Sequence, residues 1–309
     1  MITGIDKVVY GVEDMGECAR FFADWGLAPA GESDGAARFE TLDGGEVEIR
    51  PAADPSLPPA FEAGSTLRRI VWGVENEAEL EALRERLAAH GPVDSDEEGP
   101  SCTDPNGLRL GFRVTRRREP GVAATPVNAP GRIGRIDRRS PLYERAKPIE
   151  IGHVVLFTAA LDPSLELYRD VLGFVVSDWY PEAGYFLRTA PEGGHHDLFL
   201  ITTPDGRRGL NHIAFTVRDI HEVFGGGLHV ARCGWRTEIG PGRHPLSSAY
   251  FWYVHNPAGG LAEYYADEDW CTDAWEARAW QRTPENFAEW AIAGGLDGTT
   301  RRQASPPAE

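Results

Sequence analysis

The sequence predicts an α+β fold made of four βαβββ units paired into two halves. Three observations carry that prediction. The chain has 309 residues, enough for two domains. One strand-and-helix plan recurs four times along it. Each recurrence is followed by a stretch of β-formers long enough for about three short strands.

In chain order, the first unit spans 3–52: an apolar run, KVVYGV, leads into a helix with Phe21 and Phe22 on its apolar face and Gly26 at its end. The second, 65–115, opens with RIVWGV, continues through the helical ENEAELEALRERLAAHG and closes on DPNGLRLGF, a Pro-Gly turn between strands. The third, 149–203, opens with GHVVLF. Asp162-Pro163 starts its helix, Leu165, Tyr168, Val171 and Leu172 share one face, and Gly173 ends it. The fourth, 208–266, runs from LNHIAFTV to the closing turn NPAGGLAEYY. The expected domains are therefore 1–115 and 148–266, joined by 116–147, a connection of net charge +6 that is expected to pack against acidic neighbours. A tail over 267–309 carries Trp270, Trp275, Trp280 and Trp290, which predicts that it folds back onto the body or onto another subunit, with its last dozen residues disordered.

Composition limits the function. Hydrophobic residues at 41% and charged residues at 26% describe a globular chain, and a formal charge of −17 disfavours nucleic acid and anionic membrane as partners. The N-terminus lacks the basic and apolar regions of an export signal, and Cys18, Cys102, Cys233 and Cys271 form no CxxC pair. A cytoplasmic protein with free thiols is expected.

Of nine histidines, only His90 precedes residue 150. Superposing the four units sets Lys7 opposite His153, Arg69 opposite His212 and, aligning GLRLGF with GLAEYY, Leu110 opposite Glu263. Only the second half can therefore hold a cation. Two imidazoles and a carboxylate on separate strands of one curved sheet form a facial set that suits non-haem Fe(II); manganese or zinc could occupy the same ligands.

The run GHVVLF, GGHHDLF, LNHIAFTV and PGRHPLSSAYFWYVHNPAGGLAEYY resembles the extradiol, ring-cleaving catechol dioxygenases of the vicinal oxygen chelate superfamily. The resemblance covers residues 1–266 in architecture and the second half motif by motif. It implies two vicinal oxygen chelate domains, each a curved mixed sheet around a cavity, the first without metal ligands. It also implies Fe(II), or Mn(II), on His153, His212 and Glu263, and insertion of both atoms of O2 into a small aromatic diol beside its hydroxyls. His196 matches the family's acid/base histidine, with His244 and Tyr253 as its second histidine and tyrosine. The loop after His196 is about one residue longer than in relatives, so His195 stays open as the pocket residue; alternation with Leu198 and Leu200 favours His196. Trp179, Phe186, Asp197 and Trp252, with His195, are the expected substrate contacts, and a homo-oligomer is expected. A 2-oxo acid oxygenase of the 4-hydroxyphenylpyruvate dioxygenase type, a glyoxalase-type isomerase and a non-catalytic binding protein on the same architecture stand as alternatives.

Overall fold

The computed structural model describes residues 1–96 and 98–296. The disorder expected at the end of the tail lies outside the described residues. In the first half, β1 (Ile2–Val12) leads into α1 (Met15–Asp24), whose start is capped by the Asp14 carboxylate accepting from the Glu17 backbone N. Then follow β2 (Ala28–Ser33), β3 (Ala36–Glu40), β4 (Glu46–Pro51), β5 (Thr66–Val74), α2 (Glu77–His90), β6 (Asp94–Asp96), β7 (Gly99–Thr103) and β8 (Arg109–Val114). The second half repeats the plan as β9 (Glu150–Phe157), α3 (Leu161–Leu165), β10 (Val175–Tyr180), β11 (Gly184–Arg188) and β12 (Leu198–Ile201). It continues as β13 (Gly209–Thr216), α4 (Ile220–Arg232), β14 (Thr237–Arg243), β15 (Tyr250–His255) and β16 (Leu261–Ala266). The tail adds α5 (Pro284–Phe287) and β17 (Trp290–Ala293).

Each half forms one large mixed sheet. The first has the order β2-β3-β4-β1-β5-β8-β7-β6, and the second repeats it as β10-β11-β12-β9-β13-β16-β15-β14, with β17 added at the edge. In both, the two opening strands pair antiparallel at the centre and each is flanked by a parallel partner. The duplication read from the sequence is thus a duplication of sheet topology. No helix among the described residues is long and apolar enough to cross a membrane.

One helix departs from expectation. In the third unit α3 is short and continues as a π-helical turn over Glu166–Val171, where Leu172 N reaches back to Leu167 O at 2.9 Å. The predicted face survives, with Leu165, Tyr168 and Leu172 buried.

The two halves share one apolar core. Trp25, at the end of α1, stacks on Tyr264 of β16 with ring centroids 3.6 Å apart, and the Tyr264 hydroxyl donates to the Trp25 carbonyl. Trp72 of β5 meets Phe174 edge-on at 5.1 Å. Such aromatic pairs add about 0.5–1.5 kcal/mol each beyond their buried area. Along the connection, Arg117 lies 3.3 Å from Asp6 and 3.6 Å from Glu150, on the acidic neighbours expected for it. Further on, Ile133, Ile136 and Leu142 stand exposed, Leu142 at 91%.

The tail tryptophans divide. Trp275 donates its indole N–H to the Ser177 carbonyl at 2.8 Å and Trp280 donates to Asp178 at 3.0 Å, so both fold back onto β10. Trp270 and Trp290 remain 67% and 41% exposed.

Candidate metal centre and active site

Register within the second sheet decides which residues meet. His153 of β9 lies opposite Ala214 of β13, and Ala214 in turn lies opposite Glu263 of β16. His212 sits two residues before Ala214 and so on the same face of β13. Three neighbouring strands therefore present His153, His212 and Glu263 to one point. Their ligating atoms nearly touch: His153 Nε2 and His212 Nε2 are 3.2 Å apart, and Glu263 Oε2 is 3.1 Å from each. All three residues are buried, and neither carboxylate oxygen of Glu263 finds a hydrogen-bond partner of good geometry. Converging lone pairs on two imidazoles and an unsatisfied buried carboxylate fit a divalent cation.

Burial pushes the Glu263 carboxyl up, but the imidazoles of His153, His212 and His244 against it outweigh burial and hold it well below the usual carboxylate range. Burial, followed by the His196 ring, lowers His153 to about 4, so it is a neutral imidazole with a lone pair to offer. The outer nitrogen of His212 donates to the Asn211 side-chain oxygen at 2.6 Å, which leaves Nε2 free for a metal. The corresponding Nδ1 of His153 is buried without a partner.

Around these ligands lies a cavity of about 570 Å³, within the range of small-molecule sites. His196, His244 and Tyr253 all line it. His196 packs against His153 with ring centroids 4.2 Å apart, and burial, with His195 beside it, holds it well below the ordinary histidine pKa. His244 Nε2 is 3.0 Å from the Tyr253 hydroxyl, and its Nδ1 is 2.6 Å from the Phe287 carbonyl oxygen, which accepts the proton. Burial and the Glu263 charge push the Tyr253 phenol well above its usual range. Phe186 belongs to the wall, stacked on Phe199 at 3.8 Å.

Four expected substrate contacts lie elsewhere. His195 is fully buried behind the wall, 3.2 Å from Asp178, because alternation turns it away from the face that His196 occupies. Trp252 points to the opposite side of β15 from Tyr253, under α4, where its indole donates to Thr237 Oγ1 at 2.9 Å. Asp197 is held by the Thr189 backbone N at 2.7 Å, and burial raises it to about 7. Trp179 pairs by backbone with the tail at Arg278 and Ala279, outside the cavity. Among the residues that sequence reasoning missed, Glu268 lines the cavity 3.4 Å from His196 Nδ1, and burial raises it to about 7. Leu246, Asn211 and the tail residues Thr283, Pro284 and Phe287 also line it. Only the position of Glu268 just past β16 could have signalled it.

The first half fills the corresponding histidine positions with cationic side chains. Lys7 Nζ lies 3.1 Å from Glu48 and 2.9 Å from Glu98, so a covalently attached ammonium stands among carboxylates where the second half gathers ligands. Arg69 pairs with Asp96 at 2.8 Å. By register, the counterpart of Glu263 is Gly111 and not Leu110. The closing turns explain the slip: Asp104 N bonds to Leu108 O just as Asn256 N bonds to Gly260 O. Asp-Pro and Asn-Pro are thus the equivalent points, and the Gly-Leu pairs lie one residue out of step.

Known proteins resemble this chain. The model of the Glyoxalase/Bleomycin resistance protein/Dioxygenase superfamily matches residues 150–264. Metapyrocatechase 2 of Cupriavidus necator is 34% identical over 288 residues, covering 89% of this chain and 85% of the relative. A manganese-dependent 2,3-dihydroxybiphenyl 1,2-dioxygenase of Geobacillus genomosp. 3 is 24% identical over 265 residues, covering 79% and 82%. Among solved structures, the Mn(II)-bound glyoxalase from Novosphingobium aromaticivorans superposes with a TM-score of 0.75 at 25% identity, over 99% of this chain and 96% of that one. With its duplicated sheets and its His-His-Glu centre, the chain belongs to the extradiol ring-cleaving dioxygenases of the glyoxalase/bleomycin resistance protein/dioxygenase superfamily.

Proposed function

We propose that the substrate is a catechol-type aromatic diol, opened next to its two hydroxyls with both atoms of O2 entering the product, and that the metal is Fe(II) held by His153, His212 and Glu263. One observation carries this reading: the ligand set and three proton-handling side chains, His196, His244 and Tyr253, face a single cavity whose wall includes the stacked Phe186 and Phe199. When bound, such an ion supplies two-point attachment for vicinal oxygens, acidifies them, and offers a site for O2.

The chain's own groups have separate tasks. His244, with its proton committed to the Phe287 carbonyl, keeps Nε2 as an acceptor beside the Tyr253 hydroxyl, so the pair can take a diol proton and hold the resulting oxygen. Neutral His196, packed against the His153 ring, accepts a second proton and returns it to oxygen as the O–O bond breaks. The aromatic wall holds the ring and keeps bulk water away.

The ligands and proton-handling residues belong to 148–266, with 1–115 as a scaffold, 116–147 as the connection, and a tail from 267 whose residues Glu268, Thr283, Pro284 and Phe287 close the wall. Self-association is supported by the exposed Ile133, Ile136 and Leu142, and a cytoplasmic setting by four free cysteines. Light scattering on the purified chain tests the first.

The deciding experiment is anaerobic loading with Fe(II), and in parallel Mn(II), followed by oxygen uptake across a panel of catechols while watching for a yellow ring-opened product. Uptake with 2-oxo acids and none with catechols would point instead to the 2-oxo acid oxygenase reading. No uptake with either would point to a binding protein.

A further inference from the structure

His195 does not reach the chamber, yet it is hydrogen-bonded on both of its nitrogens. Asp178, fully buried on β10, accepts from the Arg278 backbone N at 2.7 Å through Oδ1. Its Oδ2 accepts from Trp280 Nε1 at 3.0 Å and lies 3.2 Å from His195 Nε2. A carboxylate facing an amide N–H and an indole N–H is an acceptor, so the proton of the third contact sits on His195 Nε2. His195 Nδ1 then carries a lone pair. It lies 3.2 Å from His196 Nδ1, and a nitrogen–nitrogen contact of that length holds one proton, which must be on His196. Glu268 Oε1, 3.4 Å from the same His196 nitrogen and from its backbone N, is a second acceptor on that side. His196 is left with its lone pair on Nε2, the ring edge away from His195.

We propose that Asp178 and His195 are positioning residues that fix the tautomer and ring orientation of His196, so that it presents a proton-accepting Nε2 to the substrate chamber. The inference rests on the proposed role of His196 in catechol cleavage. It gives the His-His pair two functions: the second residue faces the chemistry and the first hands it the correct proton. Both remaining donors to Asp178 come from the tail, so residues 278–280 belong to the same chain of hydrogen bonds.

The test is long-range ¹H–¹⁵N correlation of the ¹⁵N-histidine-labelled full chain loaded with diamagnetic Zn(II). His195 is expected to be protonated at Nε2 and His196 at Nδ1; His196 protonated at Nε2 instead overturns the proposal without any variant. In Asp178→Asn one carboxylate oxygen becomes NH2: in place of Oδ1 it opposes the Arg278 N–H, and in place of Oδ2 it faces the Trp280 N–H and His195 Nε2 together. The second arrangement keeps the main-chain bond and lets the amide donate to His195 Nε2, reversing both tautomers, while the indole loses its acceptor. The expected result is that reversal, with kcat for a catechol falling at least tenfold and KM changing less than about threefold, the iron content being unchanged. A variant with normal iron and an unchanged kcat overturns the proposal. The two readings fail separately. The predicted tautomers in a chain that consumes no oxygen with any catechol support the hydrogen-bond chain and defeat the catechol reading. Catechol turnover with His196 protonated at Nε2 does the opposite.

Discussion

His244 donates its Nδ1 proton to the backbone carbonyl of Phe287 at 2.6 Å, across 43 residues of sequence. The acceptor is main chain, so no side-chain substitution at Phe287 removes it, and the bond is best probed from the histidine. His244→Asn keeps a donor near Nδ1 and loses Nε2, whereas His244→Ala loses both. Each should lower kcat by about 10²-fold, the lower end for a lost acid/base group. Limited proteolysis should cut the tail faster in His244→Ala than in His244→Asn. Equal cleavage of the two would show that this contact does not dock the tail.

Removing a ligand should separate binding from chemistry. His153→Ala leaves His212 and Glu263 alone, and metal affinity should fall beyond the ~10- to 100-fold that losing a ligand's hydrogen-bonding partner costs. Metal content after dialysis, read beside an unchanged circular dichroism spectrum, checks it.

His196→Gln should do the reverse. The side chain touches the His153 ring but contributes no atom to the His153, His212 and Glu263 set. Metal content should stay at the wild-type level while turnover falls about 10²- to 10⁴-fold. Loss of both together would place His196 among the ligands.

The pseudo-site of the first half predicts a pH-dependent stability. Burial pushes Glu98 up, but Lys7 at 2.9 Å and Arg113 at 2.8 Å outweigh it and lower it to about 2. A depressed carboxyl stabilises the fold above its unfolded pKa, and that contribution fades as pH drops toward the folded value. Glu98→Gln should therefore cost roughly 1–3 kcal/mol at pH 7, between the limits for exposed and buried pairs. In urea unfolding the gap to wild type should stay constant above about pH 5.5 and begin to close below about 4.5. A gap that widened with acid would contradict the assignment.

Under the catalytic sheet, a methyl group built on Gly227 of α4 would come within 2.0 Å of the Trp252 indole. Gly227→Ala should lose about 1–3 kcal/mol or more through overpacking, seen as a lower melting temperature, despite the better helix propensity of alanine.

The sheet architecture was legible because an apolar strand, a helix and a Pro-Gly turn leave periodic traces, and four repeats reinforce one another. The cluster of His153, His212 and Glu263 was legible for a related reason: His153 stands opposite Lys7 and His212 opposite Arg69 once the repeats are laid side by side. The Leu110 assignment slipped because adjacent glycines at Gly259 and Gly260 offer two equally good alignments, and only hydrogen bonding at the turn tells them apart. Trp179, Trp252 and Asp197 looked like substrate contacts by residue type, yet which face of a strand points inward follows from register and bulges that composition does not record. Glu268, Phe287 and β17 were missed because long-range contacts of a tail have no periodicity to betray them.

The tail has one more consequence, for how the enzyme comes into being. All three proposed metal ligands precede residue 264, whereas the groups that hydrogen-bond to Asp178 and His244 lie at 278, 280 and 287. A ribosome therefore makes the His-His-Glu cluster before it has made the segment that bonds to Asp178 and His244. A chain ending before residue 278 would keep the three clustered residues and lose the bonds that the tail makes to Asp178 and His244.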